Sequence, residues 1–277
     1  MTADRNPVLT GHAPLQRRRV ESSTSMYREY QAPSALAGMV ECFWRRDLSE
    51  DRGDDRAVVL PDGRIDLVWI VGGEPLIAGP QTRFVPRPLD PPARAVGARF
   101  HPSVAARLLG LPAHELVDRH VALAAIDTAR AAALRRRLPA LLGPDEAPSA
   151  IGIALAGWLA AAEAPDRSMR AAVRLLDAPG ASVAAVSRAV GFSERELRRR
   201  FRDAVGYGPK TLQRVLRFQR VLAGLAPRNG SPESLARLAA SAGYSDQAHM
   251  SRETRELSGL TPLELARTRE LTAGRSA

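Results

Sequence analysis

Apolar and polar positions follow two different patterns, one before and one after residue 165. Between Met39 and Phe100, short apolar runs are separated by Gly, Pro and Asp, which is typical of strands joined by turns. Strands are predicted at 40–44, 57–60, 65–71 and 95–100, and a proline-rich loop at 86–92. The pattern is helical with breaks from His101 to about 164, and helical throughout from Asp166. The sequence therefore predicts an α+β fold, in which a small β barrel or sandwich with helices precedes an all-α domain.

Helix starts in the all-α part carry explicit sequence signals. Ser193 and Glu196 have the spacing of a capping box, in which each side chain bonds the backbone N–H of the other residue. Thr261 and Glu264 repeat this spacing, with Pro262 at the first helical position. These signals and the helical period predict helices near 167–177, 182–190, 193–205, 209–224, 232–241, 245–257 and 261–270.

The all-α part also contains an internal repeat. AVGFS at 189–193 returns as SAGYS at 241–245, and GYGP at 206–209 returns as GLTP at 259–262. Each copy has a short helix, a glycine turn and a longer helix, which is the helix-turn-helix layout, and a long helix is predicted between the copies. Four small residues are expected to let the paired helices approach closely: Ala185, Ala189, Ala236 and Ala240.

The net charge of +10 is concentrated in the repeated part. From Asp166 to the end there are 20 Lys and Arg against 11 Asp and Glu, whereas the preceding residues carry 20 against 19. A localised basic surplus predicts a polyanion as partner of this part. A general bias towards arginine is the alternative explanation, because Lys210 is the one lysine.

Other features exclude classes of protein. Cys42 is the one cysteine, which excludes an internal disulfide and a cysteine-based zinc site. The longest apolar run, at 150–162, is too short to cross ~30 Å of hydrocarbon, and the first residues lack the apolar core of a signal peptide. No pattern indicates a catalytic constellation, a metal site or a cofactor. We therefore expect a cytoplasmic protein with no membrane partner.

Residues 166–270 resemble the tandem helix-turn-helix domain of the AraC/XylS family of bacterial transcription regulators. The motifs that carry the resemblance are GFSEREL at 191–197 with Phe201, GYSDQAHMSR at 243–252, and GLTP at 259–262. In that family each copy places its second helix in the major groove, and a long helix joins the copies. The resemblance implies a regulator that binds double-stranded DNA, with RNA polymerase as a further candidate partner.

The resemblance assigns DNA contacts to individual positions. Base contacts fall on Arg195, Arg198 and Arg199 in the first copy, and on Gln247, His249, Ser251 and Arg252 in the second. Arginine can bond guanine O6 and N7 together, so an arginine-rich outer face suits the major groove. Arg217 and Ser182 are the candidates for phosphate contacts, with helix packing as the alternative role of Arg217.

Two positions depart from the family pattern. Met250 and Thr254 stand where the family usually has aromatic residues. The core of the second copy is therefore expected to be less apolar, and its reading helix is expected to dock in a shifted pose.

The first part of the chain resembles an uncharacterised sensor-type domain found before such DNA-binding domains. The motifs are LPDGRIDLVW at 60–69, GPQT at 79–82 and VGARFHP at 96–102. The resemblance implies a cupin-like β barrel followed by helices that senses a signal or dimerises, with an unidentified small-molecule effector and a second copy as candidate partners. Trp44, Asp62, Arg64, Asp66 and Trp69 are the candidate effector pocket. Turn formation and core packing are their alternative roles.

The sequence thus predicts a flexible tail at 1–25, a sensor or dimerisation domain at 26–165 and an AraC-type DNA-binding domain at 166–277. The predicted function is a sequence-specific transcription regulator, not an enzyme, that is controlled by a signal through its N-terminal domain. Two alternatives stay open: an enzyme domain at 26–165 tethered to DNA, and a non-specific architectural DNA binder. Gln247, His249 and Arg195 on groove-facing surfaces argue against the second alternative.

Overall fold

The computed structural model describes residues 17–18, 26–48, 57–70, 72–87, 93–137, 152, 155–159, 166–225 and 234–273. Within these residues an antiparallel β domain with short helices precedes a helical domain, which confirms the predicted α+β fold. The strands are β1 (Arg17–Arg18), β2 (Met26–Gln31), β3 (Val40–Leu48), β4 (Ala57–Val59), β5 (Ile65–Ile70), β6 (Leu76–Ala78), β7 (Val85–Arg87), β8 (Ala93–Phe100) and β9 (His120–Ala122).

Strands β3 and β8 lie at the centre of the larger sheet. Its order is β1-β2-β3-β8-β5-β6-β9, and β4 pairs with β7 in a second, two-stranded sheet. All the pairings are antiparallel, with Phe43 opposite Ala98 on the central strands and Asp66 opposite Arg99 on β5 and β8. Because side chains alternate between faces, this register brings Asp66 and Arg99 together on one face.

The two faces of this sheet have different surroundings. One face, with Phe43 and Leu67, joins the main apolar core, which the helices of the β domain complete. The other face carries Trp44, which packs with Val68 in a smaller cluster. Gly97 makes room for the Trp44 ring, since a Cβ at this position would lie 2.4 Å from the ring.

The helices of the all-α part agree with prediction, and their ends differ by three residues or fewer. They bury apolar stripes in three clusters, so the helices pack through one face and expose the other. In the described part of the chain the helices are α1 (Ala105–Leu109), α2 (Ala129–Arg137), α3 (155–159), α4 (Arg167–Asp177), α5 (Val183–Ala189), α6 (Glu194–Val205), α7 (Pro209–Gly224), α8 (Leu235–Ala242), α9 (Gln247–Ser258) and α10 (Pro262–Ala273), with 3-10 turns at Ala113–Leu116 and Leu123–Ala125.

Short strands are the main difference from the predicted β domain. β2 was not predicted, β9 interrupts the stretch expected to be helical, and β7 occupies the start of the expected loop at 86–92. Arg17 and Arg18, expected in the tail, pair with Tyr30 and Glu29 of β2, while the remainder of residues 1–25 lies outside the described residues. β2 has six residues, but the other strands named here have two or three, which is too short for alternation to be visible in the sequence.

The alanines expected at the contact between paired helices lie elsewhere. Ala185, Ala189, Ala236 and Ala240 are all exposed. On α5 the small residue Ser187 is buried instead, and on α8 the small residues Ala239 and Ala242 are buried. The expectation was wrong because one residue turns a helix by about 100°, so a shift of a few positions moves a side chain from the contact to solvent.

Candidate DNA-reading surface and polar cluster

The first helix-turn-helix copy consists of α5, a turn at Gly191 and α6. Gly191 has a φ of +74°, a conformation that other residues resist. Ser193 caps α6, and its Oγ accepts a hydrogen bond from the Glu196 N–H at 3.1 Å. Leu197 and Phe201 are fully buried. The opposite face of α6 is therefore turned to solvent, and we take it as the first reading face.

Two of the predicted base-reading arginines on α6 are exposed but paired. Arg199 donates two hydrogen bonds to the Glu196 carboxylate, at 2.7 and 3.0 Å. Arg198 donates to Glu194 at 2.9 Å. Exposed pairs of this kind stabilise a protein by at most about 1 kcal/mol, so a DNA acceptor can replace the carboxylates at small cost.

The capping box at the start of α6 is formed in only one direction. The Glu196 carboxylate binds Arg199 and Arg200, whose hydrogen bonds lower its pKa to about 2, and the structure gives it no bond to the Ser193 N–H. The box at Thr261 and Glu264 is complete, with bonds of 2.7 and 3.3 Å. The Glu196 side chain therefore orients arginines on the reading face, and its backbone N–H is the group that bonds the helix cap.

The second copy repeats this arrangement with α8, a turn at Gly243 and α9. Gly243 has a φ of +89°, and the Asp246 carboxylate caps α9 by accepting from the His249 N–H at 2.7 Å. The two departures from the family pattern, Met250 and Thr254, are fully buried. They form part of the helix contact instead of a reading face.

The predicted reading residues of α9 differ in how firmly their side chains are held by neighbouring residues. Gln247 and Arg252 are exposed, and Ser251 is half-buried. His249 Nδ1 lies 3.1 Å from Ser245 Oγ, and its ring meets the Tyr244 ring edge-on at 5.2 Å. His249 is thus oriented by its neighbours, whereas Gln247 and Arg252 extend into solvent.

Arg217 makes the helix-packing contact that the sequence left open as its alternative role, and a phosphate contact by Arg217 stays a prediction. It projects from α7 to Glu253 of α9, with Nη2 at 2.9 and 3.0 Å from the two carboxylate oxygens. Arg214, one turn earlier, donates to the same carboxylate at 3.1 Å, and Arg217 also covers the Tyr244 ring at 5.0 Å. Glu253 is 7% exposed, so a buried ion pair fixes the second reading helix to α7.

Ser182, the other phosphate candidate, caps α5. Its Oγ accepts from the Ala185 N–H at 3.0 Å, and the residue is exposed. A hydroxyl that accepts one bond retains its own proton for donation, so a phosphate contact by Ser182 stays a prediction.

The candidate effector residues of the β domain separate into two groups. Trp44 Nε1 donates to Asp66 at 3.1 Å, and Arg99 donates to the same carboxylate at 3.2 Å. Burial raises the pKa of Asp66 to about 6, although the charge of Arg99 acts in the opposite direction. Trp69 lies on the other face of the sheet, in the main core, so the two tryptophans do not flank one ligand.

Asp62 and Arg64 extend this polar cluster to the edge of the β domain. Asp62 accepts from the Arg64 N–H at 2.9 Å, which is the turn role foreseen as an alternative. Arg64 donates to the Glu41 carboxylate at 2.8 and 3.1 Å, and Asp62 lies 3.6 Å from Arg99. Glu41 and Arg99 were not predicted from the sequence. The available signal for Arg99 was that it is the one charged residue in the strand predicted at 95–100.

Other chemistry is not apparent in the described part of the chain. Cys42 is buried, and burial raises the pKa of its thiol to about 12. Among the residues that the structure describes, no three His, Cys, Asp or Glu side chains are grouped to hold a metal ion. No helix in the described ranges is long and apolar enough to span a membrane.

Comparison with protein families divides the chain as its architecture does. Residues 28–122 match a domain family of unknown function (DUF6597), and residues 186–268 match the family described as helix-turn-helix domain. The comparison with curated proteins gives no match. The match at 186–268 spans both copies and the reading helices α6 and α9.

Solved structures with a partial likeness to the chain include two that are described as AraC-type transcriptional regulators. An AraC-type regulator from Chromobacterium violaceum is 27% identical, over 37% of this chain and 91% of that one, with a TM-score of 0.34. A probable AraC family regulator from Rhodopseudomonas palustris is 24% identical, over 38% and 99%, also with a TM-score of 0.34. ToxT from Vibrio cholerae is 10% identical, over 82% and 96%, with a TM-score of 0.41.

The class of the protein follows from the repeated fold, its exposed basic helices and the family match. The chain carries a DNA-binding helix-turn-helix domain of a transcription regulator. More particularly, the domain is of the AraC type, as its motifs indicated, and it follows a separate N-terminal β domain.

The buried pair between α7 and α9 predicts the effect of Arg217→Ala. We expect the free energy of unfolding to fall by about 2–3 kcal/mol, less than the 3–5 kcal/mol for a fully broken buried pair, because Arg214 still neutralises Glu253. Chemical denaturation measures this loss. Arg195→Ala is the matched control and should change stability by no more than about 0.5 kcal/mol.

The same variant separates packing from phosphate contact. In protein that remains folded, the slope of log K against log salt concentration should be unchanged in Arg217→Ala. A phosphate contact would reduce the slope by about one. A reduced slope with unchanged stability would therefore contradict the packing role.

Proposed function

We propose that the chain is a sequence-specific DNA-binding transcription regulator whose β domain controls the two reading helices. The observation that carries this proposal is the pair of exposed polar faces on α6 and α9, two helices that both pack against the joining helix α7. Arg195, Arg199, Gln247 and Arg252 on these faces are exposed and can bond base edges.

The joining helix supports the reading of two neighbouring segments of the major groove. Helix α7 has 16 residues and is therefore ~24 Å long. With the thickness of the flanking helices, this length suits reading helices one DNA turn apart, about 34 Å.

Control by the β domain is supported by contacts at the ends of both reading helices. Residues 79–84, here called the bridging segment, run from the end of α6 to the end of α9. A Cβ at Gly206, which ends α6, would lie 2.8 Å from Pro80. At the end of α9, the Phe84 N–H donates to the Leu257 carbonyl at 2.8 Å, and a Cβ at Gly259 would lie 2.7 Å from the Phe84 ring.

The bridging segment is itself held firmly by the β domain. Thr82 donates to the Asp118 carboxylate through its N–H at 2.7 Å and through its hydroxyl at 2.6 Å. Gly79 lies so close to the Leu116 carbonyl that no side chain fits there. A signal that moves the β domain would therefore move both reading helices. The proposal also includes three predicted partners, which are RNA polymerase, a second copy of the chain and a small-molecule effector. A cytoplasmic location is its last prediction.

Footprinting tests the two-segment arrangement. Duplexes selected from a random library by the full chain should yield a consensus, and one monomer should protect two neighbouring major-groove segments on one face of the DNA. Protection of a single segment per monomer would contradict the geometry. Selection without any consensus would favour the architectural alternative.

Arg199→Ala tests base reading directly. An arginine that bonds guanine contributes ~1–3 kcal/mol of discrimination, so the variant should lose about that much on the selected duplex and much less on a scrambled one. Titrations of both duplexes at fixed salt measure the difference. Arg174→Ala, an exposed arginine on α4, is the control, and equal losses on the two duplexes would show that Arg199 does not read sequence.

Phe84→Ala tests the bridging segment. Without the ring against Gly259, α9 should be less well ordered before binding, and lost preorganisation reduces affinity. We expect roughly tenfold weaker binding to a duplex with both segments, equivalent to about 1.4 kcal/mol, and unchanged binding to a duplex with the first segment alone. Leu263→Ala, an exposed apolar residue of α10, is the matched control. If wild type and Phe84→Ala bind the two-segment duplex equally well, the bridging segment has no part in the control mechanism.

A further inference from the structure

A cavity of about 300 Å³ lies between the β domain and the joining helix α7. Its charged lining comes from both domains: Glu41, Asp62, Arg64 and Arg99 on one side, Asp177 and Arg220 on the other. The volume is at the lower end of the range for small-molecule sites. The cavity is thus shared by the domain proposed to sense a signal and the domain that binds DNA.

The charged groups are fixed in position before any ligand arrives. Arg64 is held by both oxygens of Glu41 and by the Asp62 carbonyl at 2.6 Å. Arg99 is held between Asp66 and Asp62. A preorganised polar site binds a complementary ligand with little loss of side-chain freedom.

The lining favours a ligand that carries both signs of charge. It contains three guanidinium groups and three carboxylates, so a singly charged ligand would meet repulsion from half of them. Leu216 and Ala223 of α7 add a small aliphatic wall. A short molecule with one carboxylate, one ammonium group and a small apolar part fits this distribution.

Arg220 connects the cavity with the second helix-turn-helix copy and with α4, which packs against both helices of the first copy. Its Nη1 donates to the Asp177 carbonyl and carboxylate at 2.7 and 2.9 Å, at the end of α4. Its Nε donates to the Ala242 carbonyl at 3.1 Å, at the end of α8. Arg220 itself lines the cavity, so a ligand carboxylate that attracts its guanidinium group would change its contacts with α4 and α8.

We propose that this cavity binds a small zwitterion of the amino-acid class, and that Arg220 transmits its binding to the two reading helices. The transmission rests on the proposed function as a regulator, whereas the binding site does not.

Calorimetric titration of the full chain tests the ligand class. The probes are glycine, L-valine, L-glutamine, L-arginine, L-glutamate and glycylglycine, with acetate and methylamine as singly charged fragments. At least one zwitterion should bind, and each fragment should bind tenfold more weakly or not at all. Binding of no zwitterion, or equal binding of a fragment, would overturn the proposal.

Ala223→Phe tests the location of the site, because it fills the cavity without removing a charged group. It should abolish binding of the zwitterion, whereas Ala129→Phe, at an exposed helical alanine outside the cavity, should bind as wild type does. Circular dichroism establishes that both variants fold. Unchanged binding by folded Ala223→Phe would place the ligand elsewhere and overturn the proposal.

Thermodynamic linkage tests the transmission. If the zwitterion changes affinity for the two-segment duplex threefold, the duplex must change affinity for the zwitterion by the same factor. Arg220→Gln should remove this coupling. Ligand binding without coupling would overturn the role of Arg220 in transmission, but it would not contradict the binding site. Failure of wild type to select a DNA sequence would overturn the proposed function, and ligand binding would still be measured independently.

Discussion

The proposed reading of two neighbouring grooves requires α6 and α9 to keep one separation and one orientation, and the bridging segment contacts the ends of both helices. The second copy has a small core of its own, built around Tyr244 and Met250. Gly206 and Gly259, which end the two reading helices, have φ values of +104° and +75°. Both also lie too close to the bridging segment for a side chain. Each glycine is therefore required for two reasons: the helix end needs a positive φ, and the contact with the β domain leaves no room for a Cβ.

The buried ion pair between α7 and α9 contributes more to fixing one arrangement of these helices than to the stability of the fold. Glu253 is met by two arginines one turn apart on α7, Arg214 and Arg217. A slide of α9 by one turn would leave a buried carboxylate without its partners, which costs several kcal/mol. An apolar contact of the same size would tolerate such a slide with a smaller loss. The pair thus defines the position of the second reading helix, at a site where Met250 and Thr254 supply less contact than aromatic side chains would.

Features encoded by neighbouring residues were predictable from the sequence. The helices of the all-α part follow from capping residues, glycine turns and a 3.6-residue period, all of which are local. The interactions of the polar cluster depend on register between strands. Arg99 meets Asp66 because β8 pairs with β5, and no local pattern contains that information. Trp44 and Trp69 occupy opposite faces for the same reason, and Arg217 was ambiguous because its carboxylate lies 36 residues away.

Helix α7 faces the β domain and α9 with different sides, which determines how a signal can travel. Leu216, Arg220 and Ala223 share the side that closes the cavity, whereas Arg214 and Arg217 lie on the side that holds Glu253. At about 100° per residue, rotation of the helix must move both sides together. Gln219 donates to the Pro61 carbonyl at 2.6 Å, and a Cβ at Gly63 would lie 2.9 Å from Leu212. The β domain therefore contacts α7 closely over several turns. In the proposed control mechanism, a displacement of that domain would move α7, and the reading helix bonded to its other side would move with it.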